Sequence, residues 1–269
     1  MANRVPTPSL QSQRPIVQRV RLRYAKRGRL RFSSHRDFQR ALERALRRVE
    51  APMAYSAGFN PHPKISYANA AATGASSEAE YVELALIEQV DPEQFRARLD
   101  AALPAGLDIV EVVTAHTPNL VERLQGSVWL IELPGCDPAD VAEAVAVLLA
   151  ADHVEVTRTV KSGQRVMDVR AALLDARLVT LAQLSDEGAA VIRPRGAQGD
   201  QGDCAILRLV VQHCTPAVRP DDILVALRTR ANLAPQSPPR LTRLAQGPLN
   251  EQGNTVGDPL AVDREAVGA

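Results

Sequence analysis

Cysteine is scarce in this chain: Cys136, Cys204 and Cys214 are the three present, and none stands in a C-x-x-C or C-x-x-x-C-x-x-C arrangement. That spacing excludes a disulfide framework, a zinc module and a cluster held by the chain's own cysteines. Cys204 and His213 lie close in sequence but have no further ligands nearby, so no metal and no other cofactor is expected. Aromatic residues are few, at 3% of the chain. Long apolar runs are missing as well. None approaches the ~20 residues that a bilayer span needs, which leaves no membrane partner. The opening MANRVPTPSLQSQRP lacks the apolar segment of a secretory signal, and the expectation is a cytoplasmic protein.

What is present is enough for two modest folded domains, since the chain has 269 residues and 45% of them are hydrophobic. The net charge of +1 hides an asymmetry. From Arg14 to Lys64 there are 14 Lys and Arg against 3 Asp and Glu, a balance of +11; the remainder carries 18 against 28, a balance of −10. All eight Phe and Tyr residues fall between Tyr24 and Phe95, leaving only Trp129 beyond. Basic and aromatic residues therefore share one half of the protein.

Periodicity gives the element order. Val20, Leu22 and Tyr24 alternate with Arg19, Arg21 and Arg23; after a Lys26-Arg27-Gly28 turn, Leu30 and Phe32 alternate with Arg29 and Arg31. Period two predicts a two-stranded segment with one apolar face and one arginine face. Ser34 and Asp37 then open a helix over 35–49 in the manner of a capping box. Its core stripe is Phe38, Ala41, Leu42, Ala45, Leu46 and Val49, and Arg36, Arg40, Arg44 and Arg47 form a ridge opposite. A short strand at 52–56, the loop GFNPHPK (58–64), a strand in EAEYVELALIE, a helix over 92–103 capped by Asp91 and a strand from Leu107 complete a βαββαβ unit.

The second half repeats this order loosely. A strand at SVWLIEL, a helix over 138–150, a hairpin VEVTRTV-KSG-QRVMDV, a strand AILRLVV, a helix from Pro220 and a strand RLTRLA can be read around a less regular region at 169–203 that contains GAQGDQGD. The expected fold is α+β, with two tandem ferredoxin-like units, the second carrying insertions. The domain limits are 1–15 as a disordered tail, 16–116 as the basic unit, 117–246 as the second unit and 247–269 as a disordered tail.

Three runs, RLRFSSHRDFQRALERALRR, AYSAGFNPHPKISYA and SSEAEYVEL, resemble the signature of the radical-SAM-linked family, a bacterial domain of unknown function. Members of that family occur fused to a radical SAM enzyme with a cobalamin-type region, or as separate proteins. Because this chain has no C-x-x-x-C-x-x-C motif, the resemblance implies the separate accessory form, with a separately encoded radical SAM enzyme as partner.

The arginine-rich strands and helix ridge are suited to phosphate, and structured RNA is the partner they suggest. An acidic protein surface, including the radical SAM enzyme itself, and a merely solvated face are the competing readings. The candidate binding residues are Arg19, Arg21, Arg23, Arg29, Arg31, Arg36, Arg40, Arg44, Arg47, Asn60, His62, Lys64 and Tyr81, with Tyr81 the aromatic placed on the polar face. Within GFNPHPK, Pro61 and Pro63 fix φ and remove two backbone donors, so a stiff contact loop and a purely structural bend are both open readings. His35 and His62 are the candidate acid and base of a metal-independent endoribonuclease. Two histidines without a third ligand are insufficient for a metal site. The favoured expectation is a non-catalytic RNA-binding accessory protein.

Overall fold

β1 (Gln18–Lys26) realises the expected alternation in the computed structural model, which describes residues 14–57, 59–160, 163–184 and 204–266. Val20, Leu22 and Tyr24 are buried among apolar residues, while Arg19, Arg21 and Arg23 point to the other face. The chain divides into two compact units. The first takes in residues up to Val121 together with the segment from Leu260, and the second runs from Glu122 to Pro259.

In the first unit β1 leads through a 3₁₀ turn (Gly28–Phe32) into α1 (His35–Arg48), followed by β2 (Ile65–Ala68), β3 (Ser76–Leu86), α2 (Pro92–Ala102) and β4 (Leu107–Thr114). The strand order is β4-β1-β3-β2, with every neighbouring pair antiparallel. Both expected helix starts are present. Asp37 N–H donates to Ser34 Oγ at 3.2 Å and Ser34 N–H donates to Asp37 Oδ2 at 3.0 Å, a reciprocal capping box. Asp91 caps α2 by accepting from Gln94 N–H at 2.8 Å. The apolar stripe of α1 lies on the sheet, with Phe38 stacked on Tyr24 at 4.0 Å between ring centroids.

In the second unit the order is β5 (Gly126–Pro134), α4 (Pro138–Ala150), the hairpin β6 (Glu155–Val160) and β7 (Gly163–Asp168), α5 (Val169–Ala172), β8 (Leu173–Leu178), β9 (Cys204–Gln212), α6 (Pro220–Ala231) and β10 (Arg240–Gly247). A short α3 (Leu120–Arg123) precedes it. Its strands pair antiparallel in the order β10-β5-β9-β8, with the β6-β7 hairpin inserted between α4 and β8. Arg158 on β6 donates to the buried Asp222 of α6 at 2.6 Å, which fastens the insertion to the helix. The expected strands at 127–133, 205–211 and 240–245 and the helices at 138–150 and from Pro220 are all in place.

Three local expectations are corrected. Residues 29–32 form no strand: Gly28 takes a positive φ of 55° and the chain coils into the 3₁₀ turn, leaving Phe32 exposed instead of coreward. The second strand is Ile65–Ala68, beyond the GFNPHPK loop, while 52–56 contributes only isolated bridges, Met53 to Leu86 and Tyr55 to Pro63. The segment 247–266, expected as a tail, carries a Leu249–Val256 bridge and a short helix, α7 (Ala261–Glu265), whose Asp263 is fully buried in the first unit. Residues 1–13 of the tail expected over 1–15, and the loop GAQGDQGD, lie outside the described residues. Among the described residues no helix is long and apolar enough to cross a membrane.

Candidate nucleic-acid interface

The arginines of β1 are spoken for by acids of the same unit. Register sets Arg21 opposite Glu83 and Arg23 opposite Glu111. Arg19 Nη1 and Arg21 Nε both donate to Glu83 at 3.0 Å. Arg21 is 2% exposed and also donates to Asp263 Oδ2 at 2.6 Å and to Thr117. Asp263 further accepts from Thr117 Oγ1 at 2.7 Å and from the backbone N–H groups of His116 and Thr117. Burial works to raise the Asp263 carboxyl, but the bonds from Thr117, Arg21 and His116 outweigh it and bring the group down to about 2. Arg23 Nε lies 3.8 Å from Glu111, which also holds Arg264. Arg27 is forked between Glu78 and Asp108, and its pKa rises through the Glu78 hydrogen bond. Of the three β1 cations, Arg21 is out of reach of a phosphate, Arg19 is paired with Glu83, and Arg23 lies beside a carboxylate that Arg264 also holds.

The ridge of α1 is different. Arg36, Arg40, Arg44 and Arg47 are all exposed. Among the described residues Arg36 and Arg44 have no acidic partner, Arg40 faces only Asp37, and Arg47 makes a loose 3.9 Å pair with Glu43. The Asp37 carboxyl is lowered chiefly by its hydrogen bonds from Ser34, so it is already committed to the cap. Just before the helix, Arg29 is exposed and the Arg31 guanidinium lies 4.6 Å from the Phe32 ring centroid. The helix thus concentrates the uncompensated positive charge that the strand face lacks.

The GFNPHPK loop is the tip of a small hairpin. Ser56 N–H donates to His62 O at 2.8 Å, His62 N–H to Ser56 Oγ at 3.0 Å and Lys64 N–H to Ala54 O at 2.8 Å. Ala54 N–H and Lys64 O in turn bond the backbone of Ala85 on β3. Asn60, His62 and Lys64 are exposed, and Phe59 is 77% exposed.

Tyr81 is 3% exposed, so the predicted stacking aromatic is unavailable. Two other aromatic rings of this unit are exposed, Phe59 and Phe32, the latter 60% exposed. Sequence periodicity could not find Phe59, which sits in no helix or strand; its signal was membership of a loop otherwise built of turn formers and polar groups. His35 lies edge-on to Tyr67 at 4.9 Å, with the Gln39 amide 3.0 Å from its Nε2. His62 is exposed at the loop, and its backbone N–H donates to Ser56 Oγ at 3.0 Å. Near His35, the Tyr67 hydroxyl is buried with no hydrogen-bond partner among the described residues, and burial raises its pKa. Among the described residues no group of three or more His, Cys, Asp or Glu is placed to hold a metal ion.

These features define a mixed α+β protein with a basic helix ridge and an aromatic-tipped loop on its first unit. The chain belongs to a bacterially conserved family of uncharacterized proteins (DUF2344), whose model matches residues 19–220. The family description names neither an activity nor a partner, and it makes no link to radical SAM enzymes. No curated protein matches the chain.

Proposed function

We propose that this protein is a non-catalytic RNA-binding accessory factor, built from two ferredoxin-like units, that holds RNA on the α1 ridge and offers it to a separately encoded radical SAM enzyme. The fold reading is supported by the shared antiparallel strand order of the two units, β4-β1-β3-β2 and β10-β5-β9-β8. The enzyme partner rests on the resemblance of the sequence motifs alone. The observation that carries RNA binding is the contrast between two arginine sets: those of β1 are matched by Glu83, Glu111 and Asp263, and those of α1 are left facing solvent. Exposed, uncompensated guanidinium groups repeated along a helix favour a polyanion, and their release of counterions makes binding salt-dependent.

Fluorescence anisotropy of a labelled RNA against increasing NaCl tests this. Wild type should bind with a steep negative dependence of log K on log salt. The double substitution Arg36→Gln and Arg44→Gln should weaken binding and flatten the slope by about 1.4, on the scale of ~0.7 per contacted phosphate of a single strand. Wild-type protein without salt-sensitive RNA binding sinks the proposal. Capture of the enzyme that survives nuclease treatment, with no RNA bound by the isolated chain, would assign the ridge to a protein surface instead.

A further inference from the structure

We infer that the GFNPHPK hairpin is a base-stacking element, with Phe59 taking the face of an unpaired nucleobase and Asn60, His62 and Lys64 the polar edge and phosphate beside it. The inference rests on the nucleic-acid reading above and narrows it from RNA in general to its single-stranded parts. Phe59 is 77% exposed at the tip of a loop. A phenyl ring left in water forgoes the burial that ordinarily stabilises such a residue, and it offers its face to a partner.

The surroundings decide the kind of partner. A protein interface core is apolar and depleted of charge. Phe59 has the opposite setting: its loop neighbours Asn60, His62 and Lys64 are exposed hydrogen-bonding or cationic groups. A lone ring among donors and a cation matches a nucleotide, which presents a π face, a polar edge and a phosphate together. A base paired in a duplex has both faces covered by its neighbours, and the A-form major groove is too narrow to read, so the ring requires an unpaired base.

The loop is also held ready. Its two sides are closed by Ser56 N–H to His62 O and Lys64 N–H to Ala54 O, both 2.8 Å, and are tied to β3 through Ala85. Pro61 fixes a φ angle between the Ser56–His62 closure and the tip, and Pro63 one between the two closures. These fixed angles lower the entropic cost of ordering the C-terminal side of the loop on binding.

The test compares wild type with Phe59→Ala and Phe59→Trp in the full chain, using a labelled oligouridine, a DNA of the same length and an RNA duplex. Wild type should prefer both single strands to the duplex. Phe59→Ala should lose about 5- to 150-fold on the single strands, the range for one stacked base, with its salt slope and its duplex affinity unchanged. Phe59→Trp should restore or exceed wild-type affinity. Salt-sensitive binding that is equal for duplex and single strands and unaltered in Phe59→Ala overturns the inference while leaving ridge binding intact. Absence of salt-sensitive binding to any probe overturns both.

Discussion

Replacing Asp263 with alanine strips a fully buried carboxylate from the arginine it pairs with, across 242 positions of sequence. Arg21 would keep its bonds to Glu83 and to Thr117 O, but its Nη1 would lose the 2.6 Å acceptor, and the N–H groups of His116 and Thr117 would lose theirs. Breaking a buried pair by removing one partner costs about 3–5 kcal/mol. Because Glu83 still faces Arg21, the lower end, about 3 kcal/mol, is expected. For a unit of this size that lowers the first unit's melting transition by about 10 °C in scanning calorimetry. Amide hydrogen exchange along β1 reports the change locally. The pH dependence provides a second reading. The folded carboxyl is held at about 2 against 3.8 for a free aspartate, so the folded state prefers the ionised form. That difference is worth about 2 kcal/mol, complete above about pH 4 and lost as pH falls through 2. In Asp263→Ala this part of the acid sensitivity should vanish. A transition within about 2 °C of wild type, with unchanged exchange along β1, would refute the reasoning.

Ser34→Ala removes the hydroxyl that accepts from Asp37 N–H and should cost about 1 kcal/mol in urea unfolding of the first unit, with fraying confined to the start of α1. No loss would mean that the helix start does not depend on the cap. Tyr67→Phe deletes a hydroxyl that is buried with no partner among the described residues, so stability should stay level or rise by about 1 kcal/mol. A loss larger than about 1 kcal/mol would show that the hydroxyl is hydrogen-bonded in solution.

The parts of the structure written in local signals were legible in the sequence. The start of α1 follows from Ser34 and Asp37, three residues apart, and its buried stripe from spacing alone. The alternation of β1 likewise gave its two faces. The state of its arginine face was not legible, because the acids that neutralise it come from Glu83, Glu111 and Asp263, far along the chain. Tyr81 was misplaced for a related reason. β3 is buried on both faces around it, with Glu80, Tyr81 and Val82 all at 3% exposure or less, so parity along the strand does not report exposure. Residues 29–32 show the limit of a short pattern: two alternations suggested a strand, and a positive-φ glycine with a tight turn prevailed.

The hairpin that carries GFNPHPK is closed through main-chain atoms, apart from the Ser56 hydroxyl, and its tip contributes no side chain to the core of the first unit. Fold and tip are therefore separate inheritances. Side-chain substitutions at Phe59, Asn60 or His62 can accumulate while the scaffold beneath keeps its stability, so the tip is free to diverge without unfolding what carries it.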